Sequence, residues 1–123
     1  MRLIRKASGQ TLAGDLRAAR GPLQRLRGLM GKSAMPGDGL LIAPADSIHT
    51  FFMRMPIDLI FLARDGRVLK TCPAVPPWRV RLAPRGARLV LEMSSGFIAR
   101  HAIRPGDGLI VTDPAAGSGR MSI

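Results

Sequence analysis

I-H-T-F-F-M-R-M-P-I-D-L-I-F-L, residues 48–62, joins two apolar runs across one proline. Pro56 has no amide hydrogen for a strand ladder, so the first run cannot continue straight into the second as a central strand. Ile48 to Met53 therefore reads as a short strand or an extended approach, and Ile57 to Ala63 as a strand. Asp58 is the one charge in that strand, and a period of two sets it opposite Ile57, Leu59 and Phe61. If that face is also covered, the carboxylate needs a partner, because burying an unpaired charge is very costly. Arg27, Arg54 and His49 are the candidates.

Outward from this stretch the chain is punctuated at short intervals. Arg64-Asp65-Gly66-Arg67 separates two apolar runs and predicts a tight hairpin in which Asp65 and Gly66 both take positive φ. Val68 to Thr71 is the return strand, and Pro73 to Pro77 breaks the pattern. W-R-V-R-L at 78–82 alternates, giving one apolar and one basic face. Further strands are predicted at Leu3-Ile4, Thr11 to Ala13, Leu40 to Ile42, Ala87 to Met93 and Leu109 to Thr112. Helical signals are few. Asp15 to Arg20 could begin a helix, Pro22 to Met30 has Leu23, Leu26 and Met30 on one face, and Ser94-Ser95-Gly96 could cap a single turn. These elements give an α+β class that is mainly β: a small curled antiparallel sheet or barrel with one or two short helices. Residues 1–113 form one globular domain in this reading, and 114–123 a flexible tail.

Composition narrows the function classes. The chain has 123 residues, a net charge of +11, 4% aromatic residues and no Tyr. Of its 19 basic residues 16 are Arg, scattered along the chain and accompanied by abundant Ala, Gly and Pro. That fits a GC-rich coding bias as well as a binding surface, and the scarcity of aromatics argues against nucleic acid. No apolar run reaches the roughly 18 residues of a membrane span. The N-terminus shows no signal-peptide core, so a cytoplasmic location is expected, or a periplasmic one if a leader was removed. Cys72 is the single cysteine, which excludes an intrachain disulfide and a cysteine metal cluster.

His49 could act as a general base or ligand donor near neutral pH, or simply satisfy backbone carbonyls. Glu92, the only glutamate, ends the apolar run L-V-L-E-M and raises the same question as Asp58. His49, Asp58 and Glu92 have no metal-ligand spacing, and neither a G-x-S-x-G elbow nor a phosphate loop is present. No cofactor and no metal site are expected. The favoured reading is a small-ligand-binding module with a shallow pocket walled by Met30, Phe51, Phe52 and Met53, with Arg27, His49, Asp58 and Glu92 as its polar groups. Its basic rim would suit an anionic or polar small molecule. The alternatives are a metal-assisted or acid/base hydrolase-like enzyme using His49 with Asp58 or Glu92, and a structural or interaction protein in which the carboxylates pin strands.

R-G-L-M at 27–30, G-L-L-I from Gly39, I-H-T-F-F-M at 48–53, P-I-D-L-I-F-L at 56–62, D-G-R-V at 65–68, V-L-E-M-S-S-G at 90–96 and I-R-P-G-D at 103–107 occur in this order. In these motifs the chain resembles the bacterial and archaeal family known as domain of unknown function 192, from about Leu3 to Val111. The resemblance implies a single, mostly β domain with short helices and no assigned reaction. It implies motif positions at Arg27, Gly28, Met30, His49, Met53, Pro56, Asp58, Phe61, Glu92, Gly96 and Asp107. Some relatives carry Trp-Met-Lys-Asn around Thr50 to Arg54, which counts against a reaction that depends on His49.

Overall fold

Leu40-Leu41-Ile42, Leu59-Ile60-Phe61-Leu62 and Leu89-Val90-Leu91 have no polar face, and strands of this kind are stable only where both faces of a sheet are covered. The computed structural model describes residues 1–19, 31, 33–44 and 47–113 and places all three runs at the centre of a five-stranded sheet. The strands are β1 Arg2–Arg5, β2 Thr11–Ala13, β3 Leu16–Ala19, β4 Gly39–Ile42, β5 Ile48–His49, β6 Ile57–Leu62, β7 Val68–Val75, β8 Val80–Arg81, β9 Leu89–Ser94 and β10 Leu109–Thr112. The central sheet has the order β3-β4-β9-β6-β7. A three-stranded sheet, β10-β1-β2, and a two-stranded ribbon, β5-β8, complete the set. One helical turn, Phe97–Arg100, is present among the described residues.

Two apolar layers follow from strand alternation. Leu41, Ile60, Leu62, Leu89, Leu91 and Met93 face the three-stranded sheet and the helical turn. Leu40, Ile42, Ile57, Leu59, Phe61 and Val90 face the other way, toward Ile48 of the ribbon and Met53. The described strands do not close into a barrel: β3 and β7 are the edges of the central sheet. The mainly β, α+β expectation holds. The proposed helix over 22–30 and the 114–123 tail lie outside the described residues.

Several local expectations are corrected. Asp15 to Ala19 does not start a helix. Leu16–Ala19 is a strand, paired in parallel with Gly39–Ile42. Tertiary pairing overrides a weak helical pattern here, and Asp38 fixes the approach by accepting the amides of Gly14 at 3.1 Å and Asp15 at 2.9 Å. Nor does Pro73 end β7, which runs on to Val75. Because β7 is an edge strand, an imino residue there costs no ladder bond to a further neighbour. At the Asp65-Gly66 hairpin only Gly66 has positive φ, at 89°. The Gly66 amide donates to Ala63 O at 2.9 Å, and Asp65 Oδ1 accepts the Arg67 amide at 3.0 Å. This is a three-residue connection closed by an αL glycine, a common hairpin form.

Gly66 also lies directly against β10, accepting the Leu109 amide at 2.9 Å. A Cβ built on it would lie 2.1 Å from Leu109 O. Gly66→Ala combines a left-handed strain with a backbone collision, and should lower stability by about 2 kcal/mol in urea unfolding. An unchanged midpoint would show that the hairpin moves away without cost.

Candidate functional site

Thr50 is the buried polar hinge between two loops, at 1% exposure. Its hydroxyl donates to Pro76 O at 2.7 Å and accepts the Arg79 amide at 2.8 Å. Its backbone amide donates to Arg79 O at 2.8 Å, and its carbonyl accepts the Trp78 amide at 3.0 Å. The loop after β5 and the loop before β8 are thereby riveted together. Each then carries an aromatic residue in the left-handed region: Phe52 at φ 64° and Trp78 at φ 65°. Bulky side chains rarely adopt that conformation, and it persists only where the surroundings impose it.

The imposed geometry turns rings outward. Phe52 and Trp78 are 58% and 56% exposed and meet edge to face at 4.8 Å. Phe51 lies 5.8 Å from Trp78, and the His49 ring 5.1 Å from Phe51. The row His49–Phe51–Trp78–Phe52 continues into Val80, paired with His49 across the ribbon, and then Leu82, the most exposed at 67%. The apolar face of W-R-V-R-L thus points into solvent. Lys70 Nζ donates to Leu82 O at 3.0 Å and holds the end of the ribbon. Thr50→Val keeps the shape and removes the hydroxyl bonds. It should cost about 1–2 kcal/mol in urea unfolding and change the Trp78 emission. Emission identical to wild type would mean that the hydroxyl does not set the loop geometry.

The surface is cationic. From Gly66 through Leu91 the chain has six cationic residues and no acidic one, and Arg54 lies in the other loop. The ion pairs among the described residues, Arg5–Asp107 at 3.6 Å and Arg17–Asp15 at 3.1 Å, lie elsewhere.

The residues singled out in the sequence divide among different places. Phe51 and His49 are in the ring row, and His49 Nδ1 accepts the Phe51 amide at 3.3 Å. Met53 is buried beneath, in the layer between ribbon and sheet. Glu92, 3% exposed, shares that layer: β9 pairs it with Leu40 on one side and Leu59 on the other. Among the described residues its Oε2 has no hydrogen-bond partner, and burial pushes its pKa up to about 7. Asp58 pairs with Met93, so it projects from the opposite face of the sheet to Glu92. Among the described residues, the partners of Asp58 are backbone amides and not Arg54 or His49. Its Oδ1 accepts the Ala74 amide and its Oδ2 the Ile98 amide, both at 2.8 Å. Asp58 thus caps the helical turn, which Gly96 begins without a side-chain cap from Ser94 or Ser95. Arg27 and Met30 lie outside the described residues.

Among the described residues no three His, Cys, Asp or Glu side chains gather as a metal site. The second histidine, His101, packs against Phe97 at 4.5 Å, far along the chain from the ring row; burial, with Arg100 and Arg5, pushes its pKa down. A shallow cleft lined by Leu62, Arg64, Asp65, Leu89 and Leu109 contains none of the predicted site residues. Sequence reading missed Thr50 and Trp78 as site residues. Threonine between His49 and Phe51 has no distinguishing signal, but the solitary Trp in an alternating basic segment was one.

Relatives share this frame. The chain is 34% identical over 101 residues to a UPF0127 protein of Thermococcus sibiricus, covering 78% of this chain and 65% of that protein's length. It is 31% identical over 109 residues to the UPF0127 protein PH1112 of Pyrococcus horikoshii, covering 84% of this chain and 90% of the relative. A crystal structure from Sinorhizobium meliloti, described as a candidate transcription regulator, superposes with a TM-score of 0.72 at 29% identity over 88% of each chain. A protein of unknown function from Novosphingobium aromaticivorans shares the fold at a TM-score of 0.69, with 24% identity over 89% of this chain and 91% of that one. No helix among the described residues is long and apolar enough to cross a membrane. The pattern of the family described as "Uncharacterized ACR" spans residues 3–111, nearly the whole described fold, and the chain belongs to that family, domain of unknown function 192.

Proposed function

We propose that the protein is a binding module that engages an anionic partner with apolar surface through the ring row His49–Phe51–Trp78–Phe52 and its surrounding arginines. The observation that carries this reading is the pair of exposed aromatic residues held in left-handed backbone by the buried Thr50. Strain of order 1–3 kcal/mol per residue, maintained to expose rather than bury a ring, is the kind of expense found at binding surfaces. The small-molecule pocket expected from the sequence includes Asp58 and Glu92 as well as His49 and Phe51; we keep only His49 and Phe51 for this surface, since both oxygens of Asp58 are committed to amides. The hydrolase-like alternative needs His49 together with Asp58 or Glu92; it is not favoured here because Asp58 projects from the opposite face of the sheet to Glu92 and has both oxygens engaged by amides.

Trp78 is the only tryptophan, so its emission reports directly on the surface. Titration with nucleoside triphosphates, a sulfated oligosaccharide and anionic vesicles should give a saturable change with at least one of them. The change should weaken with added salt, as screening of exposed arginines requires. Emission that none of the three alters would overturn the reading.

A further inference from the structure

Resting on that binding reading, we propose that the partner is an anionic lipid surface, and that Phe51, Phe52, Trp78, Val80 and Leu82 enter its interface while the exposed Arg54 and Arg79 meet the headgroups. These five are the exposed large apolar residues among the described residues, and all belong to one ribbon and its adjoining loops. Two of them, Val80 and Leu82, are aliphatic and lie 49% and 67% exposed. A hydrocarbon boundary favours such side chains, whereas stacking on bases or sugars would leave them unused.

Ring orientation supports the same partner. The Phe52 and Trp78 planes cross at 61°, and those of Phe51 and Trp78 at 31°. Tilted rings cover part of one another's faces and do not present a flat platform, but their edges and volume remain free to enter an interface. Tryptophan concentrates at the headgroup level of membranes, phenylalanine and leucine enter the boundary below it, and arginine stems reach outward from apolar surroundings to phosphate. Charge complementarity sets the sign: no acidic residue occurs from Gly66 to Leu91 or from Ser47 to Ile57, so the surface would repel cations and attract an anionic leaflet. The ribbon is held at one end by Thr50 and at the other by Lys70 on Leu82 O and by Ser47 Oγ, which accepts the Ala83 amide at 3.4 Å.

The test uses the whole chain with vesicles of phosphatidylcholine alone or mixed with phosphatidylglycerol, some carrying doxyl quenchers on the acyl chains. Trp78 emission should shift to the blue and be quenched with the mixed vesicles and much less with phosphatidylcholine alone. Phe52→Ala and Leu82→Ser, both at exposed positions, should each weaken partitioning about tenfold. Arg54→Glu with Arg79→Glu should weaken it by about fivefold per arginine or more. Co-sedimentation with mixed vesicles while Trp78 stays unquenched overturns the assignment of this surface. Saturable quenching by a nucleoside triphosphate or an oligonucleotide without vesicle binding overturns the lipid partner but leaves the binding reading standing. A concentration-dependent Trp78 shift with dimer formation in the absence of vesicles assigns the face to a second copy and likewise overturns it. No response to any probe overturns both.

Discussion

Replacing Asp58 with alanine is expected to lower the unfolding free energy by about 4 kcal/mol, one of the two largest effects expected in this fold. The carboxylate is fully buried, and its two oxygens accept the amides of Ala74 and Ile98. Both donors are exceptional. Ala74 sits at φ 48°, beside the register shift between Ile57 and Leu59, where its amide has left the ladder. Ile98 is in the first turn of the helix, where amides have no partner within the helix. Alanine would leave two buried N–H groups unsatisfied, at about 1–3 kcal/mol each, with a small void besides. Asparagine should cost about half as much, since its amide oxygen can accept one of the two while its NH2 opposes the other. Urea unfolding measures both. Because Asp58 faces away from the ribbon, Trp78 emission in the folded state should be unchanged in Asp58→Asn. A loss below 1 kcal/mol in Asp58→Ala, or an altered Trp78 signal in Asp58→Asn, would contradict its role as a pin between β7 and the helical turn.

Asp58 also shows where sequence reading reaches its limit. A charge in I-D-L-I-F-L announces that something must answer it, and the alternation correctly turned it away from Leu59 and Phe61. The answering groups are backbone amides 16 and 40 residues away, which have no residue type to be recognised by. Apolar runs located β4, β6 and β9 because a centre covered on both sides leaves no polar face. The parallel pairing of β3 with β4 was hidden, since L-R-A-A has no strong preference of its own. At the ribbon, W-R-V-R-L reads identically whether its apolar face is covered or open, so only the fold reveals that it is open. The left-handed backbone at Phe52 and Trp78 was illegible for a related reason: it runs against the preference of those residues and is imposed by Thr50 from the side.

Glu92 sets the second large effect, and its sign is opposite to that of an ordinary salt-bridged carboxylate. Lodged between Leu40 and Leu59, with Oε2 unpartnered among the described residues, it is held at a pKa of about 7 by burial, against an ordinary 4.5. Below 4.5 the folded and unfolded chains both carry the proton, and the residue contributes no pH dependence. As pH rises from there toward 7, the unfolded chain releases its proton while the folded chain retains it, so the unfolded state gains and stability falls. Above about 7 the buried group ionises as well, and the loss levels off at roughly 3 kcal/mol. Other carboxylates add their own slopes, so the measurement is the difference between wild type and Glu92→Gln in urea unfolding across this range. Gln keeps the shape and cannot ionise. The two proteins should be nearly equal in stability below 4.5, and the variant should become the more stable as the pH passes 7. Parallel curves would mean that the carboxylate finds a partner or water in its charged form. The layer containing Glu92 and Met53 lies directly beneath the ribbon, joined to it through Ile48. A charge created in that layer strains the support of the ring row first, so wild-type Trp78 emission should change over the same pH interval and that of Glu92→Gln should not.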